Sequence, residues 1–178
     1  ATEVLNALDL PPALVPPIGD NVGVFEGVRP DVARELGLPP GVPVTYRAGD
    51  QPNNALALNV LRPGEVAANA GTSGVVYGVT NQLGVDPHSR VNNFLHVNSA
   101  AKDPRIGVLM CVNGTGSFYR WVRKTFAPTT AYNELNKLAE SSPVGAHGLV
   151  GIPYGNGAER TLGNATLGAS FEQIDLNR

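Results

Sequence analysis

A chain of 178 residues with 42% hydrophobic content is long enough for one ordinary domain or parts of two, and its composition is that of a soluble, packed globular protein. Its 13 basic and 15 acidic residues give a formal net charge of -2, and no Lys/Arg cluster is denser than Arg120, Arg123 and Lys124, which argues against nucleic acid as a partner. No apolar stretch approaches the roughly 20 residues needed to span a bilayer, so no membrane partner is expected; the single Cys111 is expected to be a small core residue in a cytoplasmic, reducing setting.

In chain order, Glu3–Leu8 reads as a short helix, and Pro11, Pro12, Pro16 and Pro17 as an extended connector. Val22–Phe25 is a short strand candidate. Asp31–Leu36, between Pro30 and Gly37, reads as a helix, and Val42–Tyr46 as a strand. Asp50 follows that strand, and Asn53–Leu61 is a helical pattern stopped by Arg62-Pro63-Gly64. Glu65–Ala70 and Val75–Thr80 read as a hairpin turning through Gly71-Thr72-Ser73-Gly74. Strands are expected at Val91–Val97 and Ile106–Val112. Gly114-Thr115-Gly116 then leads into a helix over Ser117–Phe126, ended before Pro128; a second helix is expected over Tyr132–Glu140 and a strand over Leu149–Ile152. The chain starts at Ala1, straight into a helical pattern, and stops at Arg178 on the approach to another element, so both ends are expected to be cut from a longer protein.

Two features carry chemistry. Asp50, between a strand end and a helix start, sits where α/β folds bind ligands. It either caps the helix through an N–H near Asn53 or accepts the proton of a substrate hydroxyl, with Gln51 beside it able to bond another hydroxyl. Gly71-Thr72-Ser73-Gly74 is either an ordinary hairpin turn or an anion nest, in which backbone N–H groups and the Thr72 and Ser73 hydroxyls hold the phosphates of ATP. No Walker lysine follows, which excludes a P-loop. At Gly114-Thr115-Gly116 the amides could face a phosphate at the helix N-terminus, or Ser117 could simply cap that helix. Trp121 is either core or a base-stacking platform. His88, His96 and His147 lack metal-ligand spacing, with a satisfied strand residue the plainer role for His96, and no protein metal ligand is assigned. Glu159 and Arg160 read as a structural ion pair or a charge pair of a cleft.

Gly49-Asp50-Gln51, Leu61-Arg62-Pro63-Gly64-Glu65 and Asn69-Ala70-Gly71-Thr72-Ser73-Gly74-Val75-Val76, in this order, resemble the Gly-Asp-(Gln/Asn) to Gly-Thr-Ser-Gly block of the FGGY carbohydrate kinases. Pro153-Tyr154-Gly155-Asn156-Gly157-Ala158-Glu159-Arg160-Thr161 resembles that family's Pro-Tyr-x-x-Gly-Glu-Arg-Thr-Pro stretch, with Ala158 inserted and Leu162 where proline is usual. The pentulose kinases are the branch it is most similar to.

The resemblance implies an α/β fold, part of an actin-like, ribonuclease-H-like two-domain sugar kinase with mixed sheets flanked by helices. Residues 1–61 would be the C-terminal part of the first, sugar-binding domain, and 62–178 the N-terminal part of the second, nucleotide-binding domain. It implies MgATP and a pentulose as partners, Asp50 as catalytic base, and Gly71, Thr72, Ser73 and Gly116 as nucleotide-phosphate residues, with Mg2+ accompanying ATP. The family's Asp-x-Gly-Thr phosphate hairpin and Gly-Gly-Gly adenosine motif have no counterpart in these residues. The sequence leaves open kinases for ribulose, gluconate, glycerol or rhamnulose, and a non-catalytic piece that holds nucleotide weakly. It also suggests self-association, as a homodimer or otherwise, through an uncovered apolar sheet face.

Overall fold

Proline, glycine and acidic residues set the first element boundaries. The computed structural model describes residues 2–17 and 19–177. Residues 1–47 form one compact unit. It holds helix α1 (Thr2–Ala7), a single 3-10 turn at Pro12–Leu14, and strands β1 (Val22–Gly27) and β2 (Pro43–Tyr46), which pair antiparallel around helix α2 (Pro30–Leu36). Pro30 opens α2 at a position whose N–H has no intrahelical partner, and Gly37, at φ 68°, closes it in the left-handed conformation. The Arg47 guanidinium lies over the Phe25 ring, 4.0 Å from its centroid, and so ties the end of β2 back to β1.

Residues 48–178 form the second unit. Helix α3 (Asp50–Ala57) precedes a four-stranded antiparallel sheet of β3 (Val66–Ala70), β4 (Gly74–Thr80), β5 (Asn92–Leu95) and β6 (Ile106–Val112), in the spatial order β3-β4-β6-β5. Helices α4 (Thr115–Phe126) and α5 (Tyr132–Glu140) follow. Then come the short strands β7 (Val150–Ile152), β8 (Ala158–Glu159), β9 (Ala165–Thr166) and β10 (Ser170–Glu172), paired β7 with β10 and β8 with β9.

Strand alternation builds the core. The register sets Ala67 opposite Tyr77, Tyr77 opposite Leu109, and Val75 opposite Cys111, so these side chains share one face. Helix α3 covers that face: Gln51, Asn54, Ala55 and Leu58, at the spacing of one helical stripe, line a seam against Ala67, Asn69, Val75 and Tyr77. Ala55, Val60, Ala67, Tyr77, Val79 and Leu109 make the buried cluster, and Cys111 packs against it, as expected of a small core residue. Burial pushes the Cys111 thiol up from its ordinary value, and the nearby Glu159 carboxylate adds to the rise.

The hairpin through 71–74, the glycine-bounded helices and all the major strands stand where the sequence places them. Two helix starts differ by more than one residue. Helix α3 begins at Asp50 rather than Asn53, because Pro52 falls in the first turn, where a missing N–H is no loss. It also ends at Ala57 rather than Leu61, in a Schellman motif. Asn59, at φ 58°, is the left-handed residue, its N–H donates to the Leu56 carbonyl, and the Val60 N–H reaches back to Ala55 at 2.9 Å. Helix α4 begins at Thr115 with Gly114 as its N-cap, so Ser117 is not the cap.

Candidate functional site

Asp50 occupies the first position of α3 and is exposed, with Gly49 as N-cap. Its Oδ1 accepts the Gln51 N–H at 2.8 Å, rather than one near Asn53. The loop before it is fixed by Asn53, whose Nδ2 donates to the Gly49 carbonyl at 3.0 Å, and by the buried Pro52. Gln51 is half-buried on the inner stripe, facing the base of the β3–β4 hairpin.

The hairpin turn is polarised by its own hydrogen bonds. The Gly71 carbonyl accepts the Gly116 N–H at 2.9 Å, and the Thr72 carbonyl accepts the Ser117 N–H at 3.2 Å. These are amides of the first turn of α4, which no intrahelical carbonyl can serve. The turn thus caps the helix from 45 residues upstream, counted from Thr72 to Ser117. A β-carbon on Gly116 would lie 2.3 Å from the Gly71 oxygen, and one on Gly74 would lie 2.3 Å from Thr115 Oγ1. Both contacts require glycine. The Gly116 amide is therefore engaged inside the protein rather than held out to a ligand. The Gly71, Thr72 and Ser73 amides donate to no turn, loop or cap carbonyl among the described residues, and Gly71 and Thr72 are exposed. Carbonyls inward and amides unused is the arrangement an anion nest needs.

A cleft of about 610 Å³ opens beside α4. Ser117, Phe118, Arg120, Trp121 and Lys124 line it on the helix side, facing Tyr154–Asn156 and Gly168–Phe171. One lining residue is bonded to the turn: Ser117 also donates its hydroxyl to the Thr72 carbonyl at 3.4 Å. Trp121 is not core: it is 50% exposed and stacks on Phe118, with ring planes 8° apart. Arg120 and Lys124 place positive charge along the same wall.

Glu159 and Arg160 do not pair with each other. Glu159 ends β8, 1% exposed, and its two oxygens lie 3.3 Å from the Asn113 N–H. The Arg160 guanidinium instead bonds the Ser89 carbonyl and Asn92 Oδ1. The sequence also gave no hint of Asn113 as a hub. Its Nδ2 donates to the Ala158 carbonyl at 2.7 Å, its carbonyl accepts Asn156 Nδ2 at 2.8 Å, and the Ser73 hydroxyl reaches the same carbonyl at 3.4 Å. The Pro153–Thr161 stretch thereby braces the junction of β6 and α4 next to the turn. Gly114 completes it, because a β-carbon there would lie 1.9 Å from the Pro153 oxygen.

His96 is the satisfied residue expected of it, fully buried just after β5 and bonded to Tyr77 and the Val60 carbonyl.

No family model matches the chain. It is 30% identical over 160 residues to a xylulose kinase of Staphylococcus epidermidis, an alignment that covers 89% of the chain and 31% of that protein. A gluconokinase of Bacillus subtilis is 27% identical over 185 residues, covering 98% and 35% respectively. The crystal structure of xylulose kinase from Rhodospirillum rubrum matches with a TM-score of 0.80 and 29% identity over 100% of the chain and 35% of that structure. The chain therefore spans about a third of the length of the proteins it matches. Its α/β structure is that of a segment of the sugar kinases with the actin-like fold. The chain belongs to the carbohydrate kinase family that contains the xylulose kinases and gluconokinases.

Proposed function

We propose that the full-length protein carrying this chain transfers a phosphoryl group from MgATP to a sugar hydroxyl in the cytoplasm, with D-xylulose, giving D-xylulose 5-phosphate, the preferred substrate. Similarity to xylulose kinases supports that choice, and similarity to a gluconokinase makes gluconate the chief competitor. The observation that carries the reading is the presence within one compact unit of an exposed carboxylate, Asp50 on α3, and a turn, Gly71–Ser73, whose amides donate to no turn, loop or cap carbonyl among the described residues.

In this mechanism Asp50 orients the acceptor hydroxyl and takes its proton, while Gln51 bonds a neighbouring hydroxyl. The Gly71, Thr72 and Ser73 amides, with the Thr72 and Ser73 hydroxyls, hold phosphate oxygens, as unused donors and a glycine-rich turn suit them to do. Gly116 contributes by letting α4 approach the turn, and the cleft along Arg120, Trp121 and Lys124 offers charge and an aromatic face to the rest of the nucleotide. Mg2+ neutralises charge on the phosphates when bound, and the hard oxygens of Asp50 are of the right chemistry to lie near it. We place the domain boundary at residues 61 and 62 by resemblance, which makes α3 the end of a sugar-binding domain packed on the nucleotide-binding sheet. The 178 residues alone would hold nucleotide weakly at most, because their relatives are so much longer.

The test is a kinase assay of the full-length protein over a panel of ketoses, polyols and gluconate, with Asp50→Asn beside it. Loss of about 10²-fold to 10⁴-fold in kcat with sugar binding retained is expected. Retention of most of the kcat by Asp50→Asn would sink the assignment.

A further inference from the structure

We infer that Tyr77 and His96 are positioning residues that hold α3, and with it Asp50, in register with the phosphate turn. The inference rests on the kinase reading above.

The proton positions follow from chemistry. The Val60 carbonyl, 3.0 Å from His96 Nε2, can only accept, so Nε2 carries the hydrogen. Nδ1 is then a lone pair, and the Tyr77 hydroxyl, 3.0 Å away, donates to it. A directed chain results, from Tyr77 O–H to the imidazole and from the imidazole to the Val60 carbonyl. Every link is buried.

Its two ends matter. Val60 closes the Schellman motif of α3: its N–H returns to Ala55 and its carbonyl takes the His96 bond, so the C-terminal end of the helix is held on both sides of one residue. Asp50 stands at the other end of the same eight-residue helix, about 12 Å long at 1.5 Å per residue. Tyr77 lies in β4, the strand that leaves the phosphate turn at Gly74. The proposed base and the proposed phosphate donors are thus joined by α3, Val60, His96, Tyr77 and β4. A tilt of so short a helix at Val60 moves Asp50, and misplacing a reacting group by about 1 Å can cost about 10²-fold in rate.

The core is shaped around the hydroxyl. Gly107 on β6 lies beneath it, and a β-carbon there would be 1.8 Å from the Tyr77 oxygen. A further bond holds the segment next to α3, as Asn98 Nδ2 donates to the Leu61 carbonyl at 3.1 Å.

The experiment uses Tyr77→Phe, His96→Gln and His96→Leu in the full-length protein. Gln retains a donor for the Val60 carbonyl and Leu does not. Amide exchange is read first, because it needs no activity. Tyr77→Phe and His96→Leu should raise exchange at Leu58, Asn59 and Val60 about tenfold or more over β4 and β6, with His96→Gln near wild type. Kinetics come second. In the same two variants kcat should fall about tenfold or more at a temperature where they are fully folded, with KM for both substrates within about twofold and His96→Gln largely rescued. Asp86→Asn, which alters a remote loop, should leave kcat unchanged. Unchanged exchange at Leu58, Asn59 and Val60, a uniform rise across the whole sheet, or wild-type kcat in folded Tyr77→Phe would each overturn the inference. If the wild-type protein phosphorylates no sugar, the functional reading fails, and the exchange data still decide whether the pair holds α3.

Discussion

The Gly116 amide donates to the Gly71 carbonyl at 2.9 Å, so the start of α4 and the β3–β4 turn are one piece of backbone structure, although 45 residues separate them (116 minus 71). A methyl group on Gly116 would meet that carbonyl at 2.3 Å. Gly116→Ala must therefore separate helix from turn. Destabilisation of about 1–3 kcal/mol is expected from overpacking, together with a raised KM for ATP in the full-length enzyme and a KM for sugar little changed. Thermal denaturation and steady-state kinetics check both parts; an unchanged KM for ATP would show that the turn does not hold phosphate.

Gly107→Ala tests the space beneath Tyr77. The new methyl would overlap the phenol, since the Tyr77 oxygen and ring carbon Cζ lie 1.8 and 2.0 Å from the added β-carbon. A loss of about 1–3 kcal/mol or more is expected. Combining it with Tyr77→Leu, which withdraws the ring tip, should cost much less than the sum of the two single changes, by denaturant unfolding. Strict additivity would mean that the two residues do not meet.

Stability should have a plateau in pH set by the same buried pair. Burial holds the His96 imidazole below its ordinary range; the bond to Val60 opposes this, and the Arg105 charge adds to the lowering. Below about pH 6.5 the unfolded chain therefore binds a proton that the folded chain resists, and stability falls as pH drops toward the folded value. At the other end, burial pushes the Tyr77 hydroxyl up to about 12. Above about pH 10 the unfolded chain releases a proton that the folded chain keeps, so stability falls again. Urea midpoints between pH 5 and pH 11 should trace both shoulders. His96→Gln should flatten the acid one and Tyr77→Phe the alkaline one.

Glu159→Ala should destabilise the β6–α4 junction by about 1–3 kcal/mol, because it strips the Asn113 N–H of its acceptor inside the protein. Glu159→Gln, which keeps an acceptor oxygen, should cost less. Equal losses for the two variants, by thermal melts, would show that the negative charge rather than the hydrogen bond is what the junction uses.

Much of this was legible because the signals are local. Pro30 and Gly37 bracket α2, Gly71 and Gly74 mark a hairpin, and alternation in Val75–Thr80 gives a half-buried strand. Non-local partners were not legible. Ser117 looks like a cap, yet carbonyls 45 residues upstream take that role. Glu159 and Arg160 look like a pair because they are adjacent, but Glu159 ends β8 while Arg160 opens a 3-10 turn, and each finds its partner elsewhere. Asn113 carried no such signal in the sequence, since a hub is defined by what converges on it. Of the candidate site, Asp50 and the 71–74 turn stood out through chemistry and flanking glycines. The Tyr77–His96 bond did not, because Tyr77 lies in β4 and His96 follows β5, strands that are not neighbours in the sheet.

The strand order β3-β4-β6-β5 divides the sheet into two hairpins, β3 with β4 and β5 with β6, that meet along β4 and β6. Each hairpin closes a modest loop and can form from its own stretch of chain, whereas the seam must bring the two together. Tyr77 belongs to the first and His96 follows β5 of the second. Their bond therefore cannot form in either hairpin alone, and in folding it times the docking of the two: Tyr77→Phe should act on the refolding rate only to the extent that the seam is closed at the transition state.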